Sequence, residues 1–145
     1  MARATYQMPE DFLRRVSTLG NKTDEIVPRV LAAGGKVMLA KVKGNLRSVV
    51  GKGTKYASRS TGELARALGV SGALMDREGN HNVKVGFSEP RRDVDRNANA
   101  KIANILEHGK HGQPAKPFLK PAKTAAKDEC IRAMVSTLEE EINRL

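Results

Sequence analysis

The sequence predicts an α+β fold: a small antiparallel β-sheet packed against a long amphipathic helix and a C-terminal helix. Three observations predict it. Over residues 24–49, Val27, Leu31, Gly34, Met38, Val42 and Val49 fall within one narrow arc when turned through 100° per residue. Val83, Val85 and Phe87 alternate with polar or small residues beyond the turn-like Glu78-Gly79-Asn80, as in a strand buried on one face. From Pro121 to about Arg144, Ile131, Met134, Leu138, Ile142 and Leu145 recur at helical spacing as an apolar stripe.

The elements follow in order. Pro9, Glu10 and Asp11 read as the first turn of a helix that carries Phe12, Leu13 and Val16 and ends at Gly20-Asn21. Thr23 or Asp24 can cap the long helix, and Asp24 and Glu25 suit the positive end of its dipole. Pro28 is placed near the end of the first turn. Gly34-Gly35 weakens such a helix by about 1 kcal/mol per glycine. Gly34 lies on the apolar arc, so close backbone approach and a kink are both open explanations. Residues 51–60 are Gly/Ser-rich and basic and read as a mobile loop. A short helix over 62–68, a hairpin over 70–75 and 82–87, a charged loop over 90–97 and a helix over 98–107 complete the chain before the connector.

Composition narrows the function classes. The 145 residues fit one domain spanning 1–145. Three Phe, two Tyr and no Trp leave an aliphatic core. One cysteine excludes an internal disulfide and a zinc finger and suits a reducing cytosol during synthesis. No apolar run of about 18 residues exists to span a membrane, and no apolar stretch follows Arg3 to make a secretion signal. The net charge of +10 is uneven: residues 1–60 hold 12 Lys/Arg against 4 Asp/Glu, residues 61–145 hold 14 against 12. A field of that sign favours nucleic acid or acidic protein surfaces as neighbours.

The connector over 109–120 is the most specific segment. It belongs to the tract Glu107-His108-Gly109-Lys110-His111-Gly112-Gln113-Pro114-Ala115-Lys116-Pro117-Phe118-Leu119-Lys120-Pro121-Ala122. Gly109 and Gly112 permit conformations closed to other residues, while Pro114, Pro117 and Pro121 fix φ and hold their predecessors extended. Pro121 also fits the first turn of a following helix. The stiff strap carries two large apolar side chains, Phe118 and Leu119, which can plug their own core or dock on a neighbouring subunit.

This tract resembles the signature of the tail-completion (head–tail joining, or neck) proteins of long-tailed bacteriophages, through Glu107, Gly109, Pro114 to Leu119, Lys120, Pro121 and Ala122. Thr61 to Leu68 and Val83 to Gly86 are similar to that family's short mid-chain helix and following strand, so the resemblance spans roughly 60–145. His108 and Lys110 depart from it. The resemblance implies a non-enzymatic virion protein, made in the host cytoplasm and placed in the neck or tail. It implies a homo-oligomeric ring, hexameric by expectation, that meets connector and tail proteins while DNA passes through. Pro114, Pro117, Phe118, Leu119 and Pro121 are its candidate interface.

Other sites weigh less. Arg29, Lys36, Lys43 and Arg47 line the polar side of the long helix, and Lys52, Lys55 and Arg59 extend the same field. They read either as a solvated face or as contacts to channel DNA or an acidic partner. Residues 63–78 offer the alternative of a sequence-specific regulator with a helix-turn-helix, whose second helix would be Gly72 to Glu78, a poor reading head with two acids and one base. His108 and His111 sit across a glycine, and a metal needs three or four convergent ligands. Gly51-Lys52-Gly53-Thr54 lacks the hydroxyl residue that a phosphate loop places after its lysine. Cys130 reads as a buried thiol. No catalytic constellation or cofactor motif is present.

Overall fold

The computed structural model of the chain describes residues 9–52, 62–89 and 98–145. Two long helices dominate it. After the short helix α1 (Glu10–Asn21), a single non-helical residue, Lys22, separates it from α2 (Thr23–Val49). The 27 residues of α2 make a rod roughly 40 Å long. The helix runs unbroken through Gly34-Gly35. Its start at Thr23 puts Pro28 in the second turn rather than the first, where the ring removes the bond to the Asp24 carbonyl without ending the helix.

Helix α3 (Glu63–Ala67) leads directly into a hairpin of strands β1 (Leu68–Val70), β2 (Leu74–Met75), β3 (His81–Asn82) and β4 (Val85–Phe87). β1 pairs antiparallel with β4 (Leu68 opposite Phe87), and β2 with β3 (Leu74 opposite Asn82). Ser71 bridges the two ladders: its N–H donates to the Lys84 carbonyl at 2.8 Å, and its hydroxyl accepts the Lys84 N–H at 2.9 Å. Asp76 organises the turn, taking the N–H groups of Glu78 and Asn80 on one oxygen, while Gly79 adopts φ +85°. These strands stand where a helix-turn-helix needs its second helix, so that alternative is overturned: residues 63–67 are helical, but Leu74–Met75 is strand.

Helix α4 (Asn99–His108) then turns at Gly109 into the strap, and α5 (Leu119–Asn143) closes the chain antiparallel to α2. The core gathers Val42 and Leu46 of α2, Leu64 and Leu68 of the α3–β1 unit, Ala103 of α4, and Phe118 and Ala122 at the start of α5. Phe87 meets Phe118 edge-on with ring centroids 6.2 Å apart. The sheet thus packs on α2 and on the beginning of α5, as the sequence predicts.

The expected stripe of α5 is corrected in part. Ala122, Ala126 and Glu141 are buried and Met134 is half-buried, whereas Ile131 and Leu138 are exposed, together with Val135. Small side chains, not large ones, take the face against α2 because the two helices approach closely there. A Cβ added at Gly34 would lie 2.8 Å from Met134 and 3.1 Å from the Cys130 sulfur. The half-buried Cys130 donates its S–H to the Gly34 carbonyl at 3.3 Å. At Gly35 the same Cβ would lie 2.9 Å from Val70 and 3.3 Å from Val83. Adjacent glycines therefore let α2 accept a helix on one side and the hairpin on another.

Candidate functional site

The tract after α4 folds as a joint between two helices. The first turn of any helix leaves four backbone N–H groups without intrahelical partners. In α5 these four positions are Phe118, Leu119, Lys120 and Pro121. Glu107, at the end of α4, accepts three of them: Phe118 at 2.8 Å and Leu119 at 2.9 Å on Oε2, and Lys120 at 3.0 Å on Oε1. Pro121 has no N–H to satisfy. One buried carboxylate and one proline thus complete the helix start. Burial pushes the Glu107 carboxyl up, but the N–H groups of Leu119, Phe118 and Lys120, with the adjacent His108, hold it below its ordinary value of 4.5.

The strap is pinned along its length. Gly109 has φ +76°, and a Cβ there would lie 2.7 Å from the Ala115 nitrogen and 2.8 Å from the Gln113 oxygen, so only glycine fits under the returning chain. Lys110 and Gln113 exchange backbone hydrogen bonds around a tight turn, with Gly112 at φ +77°. The Lys116 N–H donates to the Leu106 carbonyl at 2.7 Å, and its ammonium donates to the Lys52 carbonyl. Asn45 of α2 donates to the Phe118 carbonyl at 3.3 Å.

The candidate interface residues divide accordingly. Phe118 is 0% exposed and takes the first of its two open places, its own core. Leu119 is half-buried, and Pro114, Pro117 and Pro121 are exposed on the outside of the joint. His108 and His111 are exposed. No cluster of three or more His, Cys, Asp or Glu among the described residues is arranged to hold a metal ion. Among the same residues no helix is long and apolar enough to cross a membrane.

The basic stripe also divides. Arg29 reaches across to α5 and binds Glu141 at 2.9 Å, and Arg144 contacts the same carboxylate at 3.5 Å. Arg29 is therefore a clasp between the long helices. Lys36, Arg47 and Lys52 are exposed and Lys43 is half-buried, while Lys55 and Arg59 lie outside the described residues, as do the loop assignments over 53–60 and 90–97.

Two apolar surfaces, on helices whose apolar spacing the sequence shows, are uncovered among the described residues. Helix α1 buries no residue; Phe12 is 53% and Val16 50% exposed, with Leu13 beside them. Its opposite face, Asp11, Arg14, Arg15 and Thr18, lines an open cleft with Asn143 and Leu145, and Arg15 donates to the Ile142 carbonyl at 3.5 Å. On α5, Ile131, Val135 and Leu138 form an exposed stripe at i, i+4 and i+7. Amphipathic spacing was visible for both, but spacing alone does not say whether the apolar face meets its own chain.

The described residues thus form a mostly helical α+β scaffold with a small hairpin and two exposed apolar faces. Residues 10–109 match a protein family described as "Bacteriophage HK97-gp10, putative tail-component". The chain belongs to this HK97-gp10-like family of phage tail components. The match begins at α1 and stops at Gly109, so it takes in the first helices that the resemblance left aside and ends before most of the Pro-rich tract. No curated protein and no solved structure gives a significant match.

Proposed function

We propose that the protein acts in head–tail joining or tail completion, as a non-enzymatic subunit of a ring at the junction of capsid connector and tail. Family membership supports the tail assignment. The observation that carries the ring is the pair of uncovered apolar faces, on α1 and on α5, which lie on different elements of one chain. A contact between two different patches is heterologous, and heterologous contacts repeated around an axis close into rings. Six subunits is the number that the resemblance to neck proteins implies. The exposed prolines Pro114, Pro117 and Pro121, with Leu119, form a rigid outer edge suited to the neighbouring ring, with Phe118 as their internal anchor.

Assembly tests this reading directly. Phage lacking the protein is complemented with wild type or with a Phe12→Asn, Val16→Asn double variant, and tailed particles are counted by electron microscopy. The expected result is separate heads and tails with the variant, although the purified protein folds normally. Normal yields of tailed, infectious particles would defeat the ring.

A further inference from the structure

The charge of this molecule is segregated along its two long helices. No carboxylate occurs in the sequence from Ile26 to Gly62, or from His108 to Lys127. The fold brings the described C-terminal part of the first tract, up to Lys52, against the second. α2 and α5 are antiparallel and in register through Arg29–Glu141, Gly34–Met134 and Asn45–Phe118, and the Lys116 ammonium closes the end on the Lys52 carbonyl. The C-terminal half of α2 and the turn after it bring Lys36, Lys41, Lys43, Arg47 and Lys52. The strap and first turns of α5 bring Lys116, Lys120, Lys123 and Lys127. The other half of the pair holds the acids, from Asp24 and Glu25 on α2 to Asp128, Glu129 and Glu139 to Glu141 on α5.

We propose that this carboxylate-free half is one composite surface for the phosphate backbone of nucleic acid. It rests on the tail-component reading only for which polyanion it meets, the DNA that crosses the junction. Neighbouring helices lie about 8–10 Å apart, close to a Debye length in physiological salt, so both sets of cations act as one field. Nearby carboxylates do not cancel it: Glu107 is turned into the start of α5, and Glu63 is buried beside Arg66. Two observations favour a polyanion over a protein. Eight of these nine cations are lysines, which protein interfaces deplete and phosphate contacts use as point charges. The net charge of +10 adds to the attraction of DNA. Lysines spaced along helices hold a backbone and read no bases.

Two sets of exposed residues separate the contributions. One variant carries Lys36→Gln, Lys41→Gln and Arg47→Gln; the other carries Lys120→Gln, Lys123→Gln and Lys127→Gln; Arg132→Gln is the control from the acidic half. Binding to a 30-base-pair duplex of arbitrary sequence is followed by anisotropy across a salt series, with thermal melts to check folding. Wild type should bind with a steep salt dependence, unchanged by duplex sequence. Each triple variant should lower the logarithmic salt slope by about 3, near one per cation removed, and Arg132→Gln should leave it unchanged. Wild-type binding by the α5 triple would reduce the site to α2 alone and overturn the composite surface. No duplex binding at low salt, or binding of polyglutamate in its place, would overturn the phosphate assignment and point to an acidic protein. A protein that binds duplex as described yet is missing from particles defeats the tail-component reading and leaves this one standing.

Discussion

The joint between α4 and α5 and the outer faces of α1 and α5 are both rich in apolar and conformationally special residues, yet they do opposite things. In the joint the anchoring residues are turned inward: Phe118 is in the core, Glu107 serves three backbone donors, and Gly109 lies under the returning strap. On α1 the apolar residues face out, and its polar side meets the end of α5. The most distinctive motif of a chain can therefore be architectural, while the surfaces available to partners lie in plain amphipathic helices.

The largest effect expected is from Phe118→Ala. Removing a fully buried ring that also braces Phe87 should cost about 3–5 kcal/mol and lower the melting temperature accordingly. A variant that melts like wild type while failing to assemble would move Phe118 to the outside and erase the contrast between the two regions.

Glu107→Gln comes next. The amide keeps one acceptor where the carboxylate uses two oxygens, so the part-buried Lys120 N–H loses its partner, at a cost of about 1–3 kcal/mol. The pH dependence gives the sign. The carboxyl is held below 4.5 in the folded chain, so its stabilisation is complete above that value and is lost as pH falls through the depressed folded one. Urea titrations should therefore show a gap between wild type and Glu107→Gln that is full at neutral pH and narrows in acid. A gap that stays constant would mean that the charge contributes nothing to the joint.

Gly34→Val should have an effect of the same size, about 1–3 kcal/mol, because a branched side chain forces α5 away from α2 at Met134 and Cys130. Gly34→Ala should cost less, since the atoms it meets are the flexible end of Met134. Equal melting temperatures for all three proteins would show that the close approach is not needed.

Much of this architecture was legible in the sequence. The 24–49 helix is observed over Thr23–Val49, and the hairpin flanks Glu78-Gly79-Asn80 as its alternation indicated. Gly34 on the apolar arc marked the helix–helix approach. The face of α5 was misread because periodicity weighs large aliphatic residues, whereas close packing selects Ala122, Ala126 and glycine opposite. The role of Glu107 was hidden for a different reason. Its partners are backbone N–H groups 11 to 13 residues away, and no side-chain pattern records them. Arg29 likewise looked like one of a row of solvated cations, because its partner Glu141 lies 112 residues distant.

The smallest change in stability should give the largest change in assembly. Phe12→Asn with Val16→Asn replaces side chains that are about half exposed on a helix with no buried residue, so the melting temperature should move by no more than about 0.5 kcal/mol allows. If α1 were an ordinary part of the subunit's own core, the same pair would destabilise by several times that amount. Melting and particle counts on one variant thus separate the two kinds of apolar surface: Phe118 should fail in the melt, and Phe12 and Val16 only in the particle.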